Sequence, residues 1–149
     1  MVIKNGTQKN IEDIVIGDKV KGQNGINTVN RLYPTTLGNR RLYAINDDNY
    51  FVTAEHPFMT NNGWKSIDPE MTMNEANLGV YGGEFTDESN ISRLDINDFL
   101  QITSNYKRIS KISSISDDYD LPLYNLHLGG DNTYYANTYL VHNKEPGQS

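Results

Sequence analysis

The sequence has no cysteine, a single tryptophan and no surplus of basic charge. Without Cys, thiolate zinc sites, iron-sulfur ligation, disulfide scaffolds and a cysteine nucleophile are all excluded within this chain. The compartment is not identified by that absence. Thirteen Lys and Arg stand against 19 Asp and Glu, a net charge of -6, and the basic residues are scattered. Such a balance argues against a protein held on nucleic acid by phosphate neutralisation. No stretch approaches the roughly 18 apolar residues of a membrane helix. Met1-Val2-Ile3-Lys4-Asn5-Gly6 also breaks too early to be a leader. The expectation is a soluble, monomeric chain without nucleic-acid or membrane partners, with the cytoplasm as its favoured location.

What is present suits short strands. A chain of 149 residues fits one domain, and at that size roughly 70% of the unfolded surface can be buried without disulfides or a structural metal. Ten Tyr and abundant Asn, with little Ala, favour strands joined by polar turns over a helical bundle. Ile11 to Val20, broken by Gly17-Asp18, reads as a turn leading into a strand, and Asn24-Gly25 as a hairpin signal. Alternation from Ile26 through Val29 and Leu32 predicts a strand ahead of Pro34. Arg41 to Asn46 predicts another, then a turn at Asp47-Asp48-Asn49 and a strand at Tyr50 to Thr53.

Asn61-Asn62-Gly63 predicts a tight turn with Trp64 as an apolar anchor beyond it. The pattern weakens between Asp68 and Asp120. Met71 to Leu78 predicts a helical turn or two, Gly82-Gly83 to Asn90 an exposed loop, and Leu94 to Ile102 fits either a helix or a twisted strand. Leu121 to Leu128 is a β-type run that Gly129-Gly130-Asp131-Asn132 turns into Thr133 to Val141. Neither repeats nor low-complexity segments occur.

Two short stretches carry chemistry: Thr53-Ala54-Glu55-His56-Pro57-Phe58, and Val141-His142-Asn143 near the C-terminus. Taken singly, a Thr-x-x-His is more often a turn with a hydrogen-bonded histidine, and a terminal His-Asn an ordinary exit from a strand. Together and in order, they resemble the Hint family, the shared fold of inteins, bacterial intein-like domains and the hedgehog autoprocessing domain. Asn5 to Val20 is similar to that family's opening segment, and Leu42 to Phe58 with Gly63-Trp64 to its Thr-x-x-His region. Leu123 to Leu126, Thr133 to Asn137 and Leu140 to Asn143 resemble its last two strands.

The resemblance implies a mainly β fold, a compact, horseshoe-like arrangement of short twisted strands with little helix. Residues 1–143 would form the domain, its first strand incomplete, and 144–149 a downstream flank, polar and mobile. It implies a self-processing domain that acts once on its own backbone rather than a multiple-turnover enzyme, with no cofactor and no metal. Thr53 and His56 would polarise and protonate an upstream junction. The Asn143 side-chain amide would attack its own backbone carbonyl, forming a succinimide and releasing the chain at Lys144, with His142 as proton donor or oxyanion stabiliser. The implied partners are the flanking extein polypeptide and a short complementary N-terminal intein fragment.

Several positions depart from the family pattern. Family members that rearrange an upstream junction carry Cys, Ser or Ala at the start of the first strand, where this chain begins at Met1, which has no side chain for acyl transfer. A split protein, a truncated one and a degenerate one are all compatible with that start. Lys144 stands where a splicing intein has Ser, Thr or Cys, so cleavage is expected rather than ligation. Asn125 and Asn132 replace an ionisable Asp and His, which shifts assistance onto His142 or His127. For His127, an ordinary strand residue is the simpler reading.

The competing class is a non-catalytic β-rich binding module of a phage or surface protein, using Tyr and Asn for glycan or protein contacts. The two classes differ geometrically, since self-processing requires Thr53, His56, His142 and Asn143 to converge. An inserted homing endonuclease is excluded because Asp68 to Asp120 is too short for one. The spacing of His56, His127 and His142 fits no metal-ligand motif.

Overall fold

The computed structural model describes residues 11–144. The parts of the opening segment before Ile11, including the incomplete first strand, and the flank beyond Lys144 lie outside the described residues. After a single 3-10 turn at Ile11–Asp13, the strands are β1 (Lys19–Lys21), β2 (Ile26–Thr36), β3 (Leu42–Ile45), β4 (Phe58–Thr60) and β5 (Gly63–Ser66). A helix, α1 (Pro69–Ala76), precedes β6 (Ser92–Arg93), β7 (Phe99–Gln101), β8 (Tyr106–Arg108) and β9 (Ile112–Ile115). The chain closes with β10 (Pro122–Gly129), β11 (Thr133–Ala136) and β12 (Tyr139–His142). The fold is mainly β, as the sequence indicates.

The described residues form three sheets, ordered β1-β2-β10, β11-β12-β4-β5-β6 with β7 and β8 branching from β4, and β3-β9. The Asn24-Gly25 signal closes the β1–β2 hairpin, where Lys21 pairs with Ile26. Pro34 does not end its strand. It lies within β2 opposite Tyr124, while β1 covers only residues 26 to 28, so the missing N–H falls where β2 has a single neighbour. Many of the Asn residues serve turns: Asn46, Asn97, Asn132 and Asn137 all take positive φ, a conformation that Asn tolerates better than most side chains.

Other expectations need correction. Thr133 to Val141 is two strands rather than one run. Asn137 and Thr138, with φ of 50° and 76°, form the two-residue turn that folds β12 back on β11. Tyr50 to Thr53 makes only the isolated bridge Tyr43↔Val52, and Leu94 to Ile102 contains the short strand β7 and no helix. The Gly82 to Asn90 segment is not simply an exposed loop. Phe85 adopts φ 64° and is buried with Tyr81, Val80, Ala76 and Ile91 in a small apolar cluster against Trp64.

The main core lies between the sheets, with Val20, Val29, Ile45, Phe58, Leu100, Ile109, Leu126 and Val141 fully buried within it. Phe58 packs edge-on to Phe51 and Tyr139 at 6.1 and 6.3 Å between ring centroids. This packing fixes β4 against β12, whose register pairs Val141 with Phe58 and directs the His142 N–H to the Pro57 carbonyl at 3.2 Å. The two stretches singled out in the sequence are thereby brought side by side. Among the described residues no helix is long and apolar enough to cross a membrane.

Candidate functional site

Asn143 leaves β12 completely buried. Its backbone N–H donates to the Asn132 carbonyl at 2.8 Å. In the amide orientation that satisfies its neighbours, Nδ2 donates to the same carbonyl at 2.9 Å and Oδ1 accepts from the Leu128 N–H at 3.0 Å. The 128–132 turn is therefore a clamp on this one side chain. It is itself tied down by Asn27, whose Nδ2 donates to Asp131 Oδ1 and to the Thr133 carbonyl, both at 2.7 Å. Gly130 is required here, since with φ 129° any Cβ would lie 1.9 Å from Asn27 Oδ1. Burial would raise the Asp131 carboxyl, but hydrogen bonds from Thr133, Asn27 and Asn24 bring it below its ordinary value.

His142 is buried beside this clamp. Its Nδ1 lies 2.7 Å from the Asn143 carbonyl oxygen, and Nε2 contacts the Glu84 carboxylate. Both ring nitrogens are thus engaged by oxygen atoms, one on the backbone and one on a carboxylate. Trp64, Tyr81 and Phe85 surround it at 5.5, 5.7 and 5.2 Å between centroids, at steep interplanar angles. The hydrogen bond from His142 holds the Glu84 carboxyl below its ordinary range, against a smaller opposing effect of burial.

Lys144 itself is buried and paired rather than mobile. It is only 5% exposed, its carbonyl accepts a hydrogen bond from the Tyr33 hydroxyl, and its Nζ lies 3.1 Å from both Glu55 Oε2 and Glu75 Oε2. Arg40 reaches the other Glu55 oxygen at 3.3 Å. Burial by itself would raise the Glu55 carboxyl, but Lys144, the Thr53 hydroxyl and Arg40 together hold it down at about 2. Helix α1 supplies Glu75: Asp68 caps it by accepting from the Met71 N–H at 3.2 Å, and Thr72 donates to the Glu55 carbonyl at 2.7 Å.

Thr53 and His56 lie at the other side of this network. They line a cavity of about 160 Å3 together with Phe51, Asn125, Tyr134 and Val141. The Thr53 hydroxyl donates to Glu55, so its proton is turned away from the cavity. His56 Nδ1 is buried without a hydrogen-bond partner. Burial, and then the charge of Lys144, push the His56 imidazole down to about 3, so it is neutral near pH 7. His127 belongs to β10, whose register pairs it with Arg31.

Thr53 and His56 line the cavity, while His142 and Asn143 lie outside its lining; the two pairs are linked through Glu55, which accepts from the Thr53 hydroxyl and pairs with Lys144. Sequence reasoning missed Arg40, Glu75, Tyr81 and Glu84, and gave no role to Glu55. The available signals were an acidic residue inside Thr53-Ala54-Glu55-His56-Pro57, and a Phe beside Glu84 in an otherwise polar loop. Among the described residues no group of three or more His, Asp or Glu is arranged to hold a metal ion.

No protein-family model matches the sequence, and no curated protein matches it. Solved structures do match in fold. The gp41-1 intein aligns with a TM-score of 0.63 at 22% identity, covering 95% of this chain and 91% of that one. The Ssp DnaB mini-intein variant M86 aligns at 0.64 with 16% identity, covering 95% and 87%. A DnaB intein from Synechocystis sp. PCC 6803 aligns at 0.57 with 18% identity, covering 93% and 88%. The chain has the Hint fold of the inteins.

Proposed function

We propose that this chain is a self-processing domain that breaks its own backbone between Asn143 and Lys144. The observation that carries this reading is the His142 Nδ1 contact, at 2.7 Å, with the carbonyl oxygen of that very bond. An isolated amide nitrogen is a poor nucleophile, so reaction depends on held geometry and on stabilising the charge that develops. The clamp on Asn143 supplies the first, and His142 the second.

In the step proposed, Asn143 Nδ2 forms a bond to its own carbonyl carbon, and the oxygen takes up negative charge against His142 Nδ1–H. The bond from that carbon to the Lys144 nitrogen then breaks. Nδ2 gives up one proton and the departing amine gains one, so the products are a chain ending in a succinimide and a peptide beginning with Lys144. No water is consumed. On this reading His142 would protonate the leaving nitrogen as well as support the oxyanion.

The partners on this reading are flanking polypeptides. The downstream one begins at Lys144. The upstream one would meet the Thr53–His56 cavity, together with an acyl-accepting nucleophile carried by a preceding segment or by a short complementary fragment. Lys144 has an amine in place of a hydroxyl or thiol, which supports cleavage over ligation.

Intact-mass measurement over time at neutral pH tests the reading. The wild-type chain should shed the peptide Lys144–Ser149, whereas Asn143→Ala should retain it. Equal persistence of the intact mass in both would remove the self-processing reading.

A further inference from the structure

The pocket around Lys144 has no use in the cyclisation step itself, yet it is the most densely ionic part of the interior. Lysine is almost never fully buried unless paired, because taking an ammonium out of water is costly. Here the ammonium is met by two carboxylates from different elements, Glu55 before β4 and Glu75 on α1, each at 3.1 Å. Glu55 is completely buried and is held by Arg40 and Thr53 whether or not a lysine arrives. Glu75 also accepts from the Tyr81 hydroxyl at 3.2 Å. The Arg40 guanidinium meets Glu55, and Lys144 is the cation that bridges Glu55 to Glu75.

We propose that Glu55 and Glu75 form a specificity pocket selecting a cationic, amine-tipped residue immediately after Asn143. The inference rests on the self-processing reading, since it says which downstream sequences the chain would release. Residue 144 is then held at both ends, its side chain by the two carboxylates and its carbonyl by the Tyr33 hydroxyl. Its nitrogen, the atom that must depart, is fixed between these anchors and the Asn143 clamp. Near-attack geometry of this kind is lost with small displacements, so a residue that does not fill the pocket should be released more slowly. An acidic residue would bring a third negative charge beside the buried Glu55 carboxylate and the partly exposed Glu75. A guanidinium carries the right charge on a larger, planar fork and should rank between lysine and an uncharged residue.

The test pairs Lys144→Arg, Lys144→Met and Lys144→Glu, each with and without Glu75→Gln; Glu75 is partly exposed, so this change is accommodated. Peptide release is timed by intact mass in the full chain. In parallel, thermal melting is followed in an Asn143→Ala background, which keeps the junction intact. Release should slow by about tenfold for Lys144→Met and about 100-fold for Lys144→Glu, and Glu75→Gln should compress that spread to a few-fold. The melting midpoint of Lys144→Glu should fall by about 5–10 °C, with part of the loss recovered by Glu75→Gln. If the wild type cleaves while every residue at 144 is released within about twofold, the pocket is overturned and self-processing stands. If the wild type does not cleave, self-processing falls and the melting series decides the pocket. Midpoints indifferent to Glu75 overturn it, whereas a Lys144→Glu penalty relieved by Glu75→Gln supports it.

Discussion

Around Thr53 and His56 the walls are largely apolar and enclose a cavity of about 160 Å3, with the Thr53 hydroxyl turned toward Glu55 and one imidazole nitrogen left unpartnered. Around His142 and Asn143 the side chains at the junction are engaged. Asn143 is clamped by the 128–132 turn, His142 is bonded on both ring nitrogens, and Lys144 is paired. Buried polar groups are costly when unpaired and strongly orienting when satisfied. On the self-processing reading the downstream half is the preorganised one, and the upstream half is the one in which His56 Nδ1 is buried without a hydrogen-bond partner. In the Hint fold both halves are built on β4 and its neighbours, so the contrast lies in side chains rather than in backbone.

The largest expected effect lies in the preorganised half. His142→Ala removes the donor to the Asn143 carbonyl, and loss of a single positioned oxyanion donor or general acid typically costs about 10²–10³-fold in rate. Release of the Lys144 peptide, followed by intact mass, should slow by that amount in a variant whose melting curve shows it to be folded. A change of less than about threefold would mean that His142 only fills its aromatic cage, and the contrast between the two halves would lose its chemical meaning.

A second effect belongs to the open half and concerns stability. His56 is neutral in the fold down to about pH 3, whereas the unfolded chain protonates it near its ordinary value of 6.5. Between those limits the unfolded state binds more protons, so stability falls as pH falls, with a maximal slope for one group of about 1.4 kcal/mol per pH unit. Glu55 acts in a lower window, its stabilisation being lost as pH drops from the ordinary 4.5 toward about 2. Urea midpoints of the Asn143→Ala chain measured from pH 7 to pH 4.5 should therefore decline, and adding His56→Gln should flatten the decline. An unchanged slope would place the acid sensitivity elsewhere.

Much of this architecture was legible in the sequence because its signals are local. Asn24-Gly25 and Asn61-Asn62-Gly63 mark hairpins, alternation marks β2, and a β-type run marks β10. The pairing of His142 with Asn143 needs no knowledge of the rest of the chain. The remainder of the site is made by contacts between distant segments. Glu55 meets Lys144 across 89 positions, and Glu84 meets His142 across 58. No periodicity encodes such meetings. They follow from α1 docking through Thr72 and from Phe85 anchoring its loop, both events of tertiary packing. Splitting Thr133 to Val141 into two strands was hidden for a related reason. Asn137-Thr138 lacks the glycine that usually announces a turn with two positive φ angles.

The smallest of these effects isolates that long-range element. Glu84 is half-exposed and touches His142 from a loop, so it acts as a positioning residue and a source of charge rather than as a group in contact with the breaking bond. Glu84→Gln keeps a hydrogen-bond acceptor of the same shape and removes the charge. Release of the Lys144 peptide should slow by about three- to tenfold, the range of a single charge-assisted hydrogen bond that remains wet on one side. A merely structural role would lower the rate at all pH values alike. If the carboxylate charge is what matters, the wild-type rate should fall as Glu84 protonates, below its ordinary 4.5 because His142 holds it down. That acid limb should then be missing from the variant's pH profile, and the two chains should converge at low pH. Parallel profiles would show that the loop contributes shape alone, leaving the aromatic cage to orient His142 unaided.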